Sequence, residues 1–276
     1  MKKILIALLI LGVVVLSGCT KSTASTGGSA GVVITSFVAD PTVIQGGEEV
    51  YLLMDIQNKG GTKANSIEAN IIGLPTGGST GWIVQQTSPP PAELLPPEKG
   101  MEGESTTVEW TLKSPESQTD IDYPLEGAVK YRYDNQKTET LVRLGNRDWL
   151  RSLPTDQRDQ ETKKQGQVSS SSQTGPISAT IKAAASGSRL ILDIQNTGGG
   201  VAENDKIIIS VEGMTCSGLT GEVTLIRGKS KQLRCDPLGE PTQKEQWKNI
   251  RIDVTMGYNY IVKSPLVIKV ERTPVV

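Results

Sequence analysis

Three cysteines, no histidine and a nine-residue stretch that occurs twice are the features of this 276-residue chain with chemical content. Without an imidazole, neither a Ser-His-Asp nor a Cys-His arrangement can be assembled. Cys216 and Cys235 cannot complete a conventional zinc site for the same reason. Asp55 and Asp193 lack the Asp-x-Asp-x-Asp company of a calcium loop, which leaves calcium the minority reading there. Gly198-Gly199-Gly200 is followed by no helical pattern and no Lys-Ser/Thr pair, as a phosphate cradle would require. No catalytic residue, metal ligand or cofactor is assigned, and the chain reads as a non-enzyme. Among the four tryptophans, Trp110 falls in an inward phase, and Trp149 and Trp247 read as core or cap residues. Trp82, beside Gly81 and ahead of a proline-rich run, is the one expected to be exposed and is the candidate binding residue.

The repeated stretch is Leu53-Met54-Asp55-Ile56-Gln57-Asn58-Lys59-Gly60-Gly61, which returns as Ile191-Leu192-Asp193-Ile194-Gln195-Asn196-Thr197-Gly198-Gly199. Each copy is an alternating apolar run that ends in Asn-x-Gly-Gly and precedes a second apolar run, which describes a strand, a reversal and a strand. Asn58 and Asn196 are expected to bond nearby backbone, with Gly60, Gly61, Gly198 and Gly199 supplying positive φ in the turn.

The elements around these turns are strands. Val50, Leu52, Met54 and Ile56 share one face, and Leu190, Leu192 and Ile194 repeat that phase. Further alternation covers Val108 to Leu112, Gly127 to Tyr133 and Thr138 to Leu144, with a turn expected at Asp134-Asn135. In the second copy it covers Ile207 to Val211, Ile250 to Tyr258 and Leu266 to Val270. The prolines of residues 88–100 rule out a central strand and require a surface loop. The pattern predicts an all-β fold of two tandem antiparallel sandwich domains, 32–145 and 177–272. Residues 146–176 read as a polar linker, with Trp149, Leu150 and Leu153 capping the first domain or starting a short helix.

The strand end Asp-Ile-Gln-Asn-x-Gly-Gly with its following Ala, from Asp55 to Ala64 and from Asp193 to Ala202, resembles the V-x-N-x-G-x-x-x-A signature of CARDB-type domains. The resemblance implies immunoglobulin-like or fibronectin-III-like sandwiches of the kind repeated in archaeal and bacterial surface proteins. It carries over no catalytic residue.

The N-terminus adds an address. Met1-Lys2-Lys3 precedes an apolar run from Ile4 to Leu16 that is too short for a comfortable span of about 20 residues. Leu16-Ser17-Gly18-Cys19 resembles the lipobox of prokaryotic lipoproteins, which implies a signal peptide at 1–18, lipidation of Cys19 and a tether over 19–31. Attached acyl chains would hold the protein to the extracytoplasmic side of a membrane. In that oxidising compartment, Cys216 and Cys235 are expected to form a disulfide. Losing Lys2 and Lys3 leaves 27 basic against 30 acidic residues, a net charge of −3 with no basic patch, so nucleic acid is not an expected partner. The expected function is adhesion or envelope scaffolding, with an envelope protein or a glycan as partner. The alternative is an accessory ligand- or glycan-binding lipoprotein of an envelope or transport complex.

Overall fold

A computed structural model describes residues 31–77, 81–183, 189–239, 241–242 and 244–273. The expected signal peptide, Cys19 and nearly all of the tether lie outside the described residues. Repeat one forms β1 (Val32–Asp40), β2 (Val43–Gln45), β3 (Glu49–Asn58), β4 (Ala64–Ile72), β5 (Ile83–Thr87), β6 (Glu93–Leu94), β7 (Ser105–Lys113) and β8 (Ile121–Gly145). Two short helices, Arg147–Ser152 and Thr155–Thr162, lead to β9 (Gly166–Ser172). Repeat two forms β10 (Ile177–Ala183), β11 (Leu190–Asn196), β12 (Val201–Ala202), β13 (Lys206–Glu212), β14 (Met214–Cys216), β15 (Glu222–Thr224), β16 (Ser230–Pro237) and β17 (Trp247–Glu271).

The fold is all-β, as the alternation predicts. Repeat one supplies a four-stranded sheet in the order β1-β3-β7-β5, and repeat two supplies its equivalent, β10-β11-β16-β14. Both pack on a third sheet that the repeats share, ordered β15-β13-β17-β8-β4-β6. At its centre β8 and β17, each of 25 residues, run antiparallel from Ile121 opposite Val270 to Gly145 opposite Trp247. At the usual rise, this ribbon is roughly 80 Å long.

The phase of the ribbon shows how the layers sit. In β17 the even-numbered residues from Ile250 to Tyr260 are buried, and Ile268 and Val270 continue the same phase. In β8 the odd-numbered residues from Leu125 to Tyr133 are buried, and then the even-numbered ones from Gln136 to Leu144. The switch falls at a bulge, where Asp134 and Asn135 together oppose Gly257 while Tyr133 pairs with Tyr258 and Gln136 with Met256. One extra residue keeps both halves of β8 facing the same side. Repeat-one side chains Met54 and Phe37 therefore meet Gly127, and the Ile177 carbonyl of repeat two meets Gln136, on one face of one sheet. The opposite face is wet and charged, with Lys263–Glu126 at 2.8 Å and Arg251–Glu139 at 3.0 Å. Such exposed pairs add little stability. The core comes from residues such as Val50, Leu52, Met54, Ile56, Leu192 and Ile194, all fully buried, at about 1.5–3 kcal/mol each.

Three expectations change. Asp134-Asn135 is a bulge within one long strand and not a turn between two. The Ser-rich end of the expected linker is β9, which pairs with residues 138–143 of β8 and aligns Ser172 with Thr138 (Oγ–Oγ1 2.9 Å) and Ser170 with Thr140 (3.2 Å). Trp149 and Leu150 do begin a helix, whose N-cap Asn146 accepts the Trp149 N–H at 2.8 Å. The repeats are also not independent. The second half of β17 extends the layer that covers repeat one, and the second half of β8 does the same for repeat two.

Candidate functional site

The repeated turns meet at the waist of the ribbon, and each is tied down by the same bonds. Asn58 Nδ2 donates to the carbonyls of Thr62 (3.0 Å) and Leu94 (2.9 Å), while its Oδ1 accepts from the Gly60 amide (3.0 Å) and the Tyr133 hydroxyl (2.8 Å). Asn196 Nδ2 donates to Gly200 (3.0 Å) and Gly228 (3.1 Å), and its Oδ1 accepts from the Gly198 amide (3.1 Å) and the Tyr260 hydroxyl (2.8 Å). All four hydrogen-bonding sites of each amide are thereby used. These asparagines are structural pins, as the sequence suggests. The glycines act differently from expectation: Gly61 and Gly198 do not occupy positive φ. They are required by close approach, since a Cβ on Gly61 would stand 2.9 Å from the Thr174 amide, and one on Gly198 would meet the Tyr260 hydroxyl and the Pro176 ring; the neighbouring Gly200 is held the same way against the Ile261 carbonyl.

Between the pins lie Tyr131, Tyr133, Tyr258 and Tyr260, all at most 3% exposed. Tyr133 opposes Tyr258 and Tyr131 opposes Tyr260 across the ribbon, with ring centroids 5.9 and 5.8 Å apart. Tyr258 donates to Gln136 Oε1, whose Nε2 donates to the Ile177 carbonyl at 2.7 Å. Burial pushes the Tyr131 and Tyr258 phenols well above the usual tyrosine range and raises Tyr133 and Tyr260 as well. The Tyr-x-Tyr spacing recurs in both repeats and was available in the sequence. Its pairing partner was not, because nothing local predicts that β8 and β17 are neighbours.

Trp82 is corrected. It is 2% exposed, not a surface platform, because its amide donates to the Pro75 carbonyl at 2.8 Å and folds the loop back. Its ring then inserts edge-on against Tyr123, with centroids 5.3 Å apart. Cys216 and Cys235 stand directly opposite on β14 and β16 and are joined as a disulfide. Asp55 accepts from Thr107 Oγ1 at 2.6 Å, and Asp193 from Lys182 at 3.1 Å and Gln195 at 2.9 Å. Among the described residues, no group of three or more metal-ligating side chains occurs.

Two surfaces stand apart from this packed interior. One is the edge strand β5, where Ile83 is 57% and Val84 47% exposed. The other is an open cleft of about 520 Å³ beside the Asn196 turn, lined by Gln195, Val201, Arg227, Lys229 and Ser230 among others. Sequence reasoning missed the cleft, because Arg227 and Lys229 are ordinary loop residues until the turn is folded against them.

No protein-family model matches the chain, and no curated protein matches it in sequence. Among solved structures, it is similar to the secreted serine protease VesC from Vibrio cholerae, at 12% identity and a TM-score of 0.21, over 80% of this chain and 48% of that one. It is also similar to the collagen adhesin CNA from S. aureus, at 13% identity and a TM-score of 0.17, over 86% and 87% of the two chains. The chain thus spans about half the length of the VesC chain. Neither likeness is close enough to carry an argument about fold or chemistry.

Proposed function

We propose that this chain is a non-enzymatic lipoprotein, anchored through Cys19 on the extracytoplasmic side of the membrane, that serves adhesion or envelope scaffolding. Its two repeats are read as CARDB-type, immunoglobulin-like units joined back to back. The observation that carries the reading is the β5 edge. β5 ends the sheet β1-β3-β7-β5 with no further strand paired to it among the described residues, every residue in it is exposed, and two of them, Ile83 and Val84, are large apolar side chains. An open edge carrying apolar side chains suits a partner that adds a strand. The shared ribbon supports a scaffolding role, since a load on one repeat passes through continuous β8 and β17 into the other.

Photo-cross-linking in intact cells tests this. A photoreactive residue at Ile83 or Val84 is expected to join one reproducible envelope protein, and the same group at Lys137, on the wet face of the ribbon, is not. Equal labelling from both positions would remove the edge as the binding surface. The open cleft favours a second reading, an accessory protein that captures a ligand or glycan.

A further inference from the structure

The cleft at the Asn196 turn has a counterpart in repeat one, and the two corners differ. The Asn58 amide donates to the Glu104 carbonyl and the Asn196 amide to the Lys229 carbonyl. Gln57 pairs with Ser105 as Gln195 pairs with Ser230. Lys229 therefore occupies the place of Glu104, with the charge reversed. In repeat one the connection through residues 95–104 fills the corner. Glu102 accepts from Gln57 Nε2 at 3.1 Å, Glu104 accepts from the Leu95 amide at 2.9 Å, and Pro97 closes over Gly103. In repeat two the connection is only residues 225–229, and the corner stays open.

Arg227 and Lys229 line that opening, and neither side chain has an ion pair or hydrogen bond among the described residues. Arg227 is held at φ 53°, a conformation costly for a residue with a Cβ and found where surrounding structure imposes it. Ser230 adds a neutral donor, while Gln195 Nε2 is already engaged with Asp193 at 2.9 Å. The Asp205 carboxylate lies close against Gly228 but does not itself line the cleft, whose charged lining side chains are Arg227 and Lys229. Position narrows the source of a ligand. Pro176 packs against both Gly198 of the cleft wall and Gly31, where the described chain begins. A lipid on Cys19 would then hold the cleft within about 40 Å of the bilayer, the extended reach of the intervening residues.

We propose that this cleft binds a phosphate oxyanion, and that the phosphate is an anionic lipid headgroup of the membrane to which the chain is tethered. The assignment of the source rests on the lipoprotein reading; the phosphate site itself does not. A net charge of −3 gives the molecule no general attraction to anionic surfaces, so the binding must be local.

The chain from Thr20 onward, which keeps every described residue, is titrated with inorganic phosphate and, separately, with vesicles of phosphatidylcholine with or without phosphatidylglycerol. Phosphate is expected to shift the amide resonances of residues 195–200 and 227–230, and only the phosphatidylglycerol vesicles are expected to bind. Arg227→Gly, which keeps the left-handed backbone without strain, and Lys229→Ala should each weaken binding about fivefold. Lys263→Ala on the wet face should leave it unchanged. A phosphate response without vesicle binding supports the site and overturns the lipid source. No phosphate response, or vesicle binding that survives both substitutions, overturns the site. An unlipidated Cys19 in the native protein would refute the anchor alone and leave the phosphate titration standing.

Discussion

Asn58 and Asn196 each hold four bonds, Asn58 fully buried and Asn196 at the wall of the cleft, and that makes them the residues on which the waist depends. Asn58→Ala leaves the Thr62 and Leu94 carbonyls, the Gly60 amide and the Tyr133 hydroxyl without their partner, at a cost of about 2–4 kcal/mol. Tyr133→Phe removes one bond and should cost about 1 kcal/mol. Chemical denaturation of both single variants and the double is expected to show coupling, with the double less destabilised than the sum. The four buried phenols give a pH signature. Their pKa values are raised in the folded state, so the folded chain holds protons that the unfolded chain releases. Their contribution is fully present below the unfolded value near 10 and is lost as pH rises above it, by up to about 1.4 kcal/mol per tyrosine per pH unit. Alkaline titration should show tyrosinate absorbance from this cluster rising together with loss of β-sheet circular dichroism. Ionisation of all six tyrosines near pH 10 with the fold intact would contradict the dry cluster.

At the scale of the elements, the ribbon joins what the sequence divides. Alternation alone was sufficient to find the inward phases of β3, β7, β11 and β17, because period-2 burial is a local property that each strand prints in its own residues. It could not show that Gly127–Tyr133 and Thr138–Leu144 are one strand, since Asp134-Asn135 is an equally good turn and only the opposing Gly257 makes it a bulge. Composition misled over residues 166–172 for a related reason. Serines need no core to form a strand when Thr138 and Thr140 supply hydroxyl partners and β8 an open edge. The Asn-x-Gly turn was readable as a structural device, whereas Trp82 was not readable as core, because a contact with the Pro75 carbonyl decides it. A shared central pair predicts cooperative loss. Thermal unfolding should show a single transition, and proline at Val254, which pairs with Thr138 of β8 on one side and Val211 of β13 on the other, should bring down both repeats together; two resolved transitions would speak against the shared ribbon. β14, an edge of three residues, is held to β16 by the Cys216–Cys235 bond. Reduction should lower stability by roughly 3 kcal/mol, with amide exchange rising first around residues 214–216.

For the whole molecule, the position of Gly31 sets the geometry. The described chain begins at the waist, against Tyr131 and Pro176, while its other end at β17 pairs with β2 far out along repeat one. A tether from Cys19 would hold an 80 Å-class ribbon by its middle, bringing the Arg227–Lys229 cleft near the bilayer and leaving the β5 edge toward one end for a partner. Both proposals draw on that attachment, which makes it the point to test first. The N-terminal peptide of the native protein extracted from membranes is predicted, by mass, to begin at Cys19 and to carry a diacylglyceryl group on that residue. A chain that retains residues 1–18, or one that begins elsewhere with no acyl group, would contradict the account.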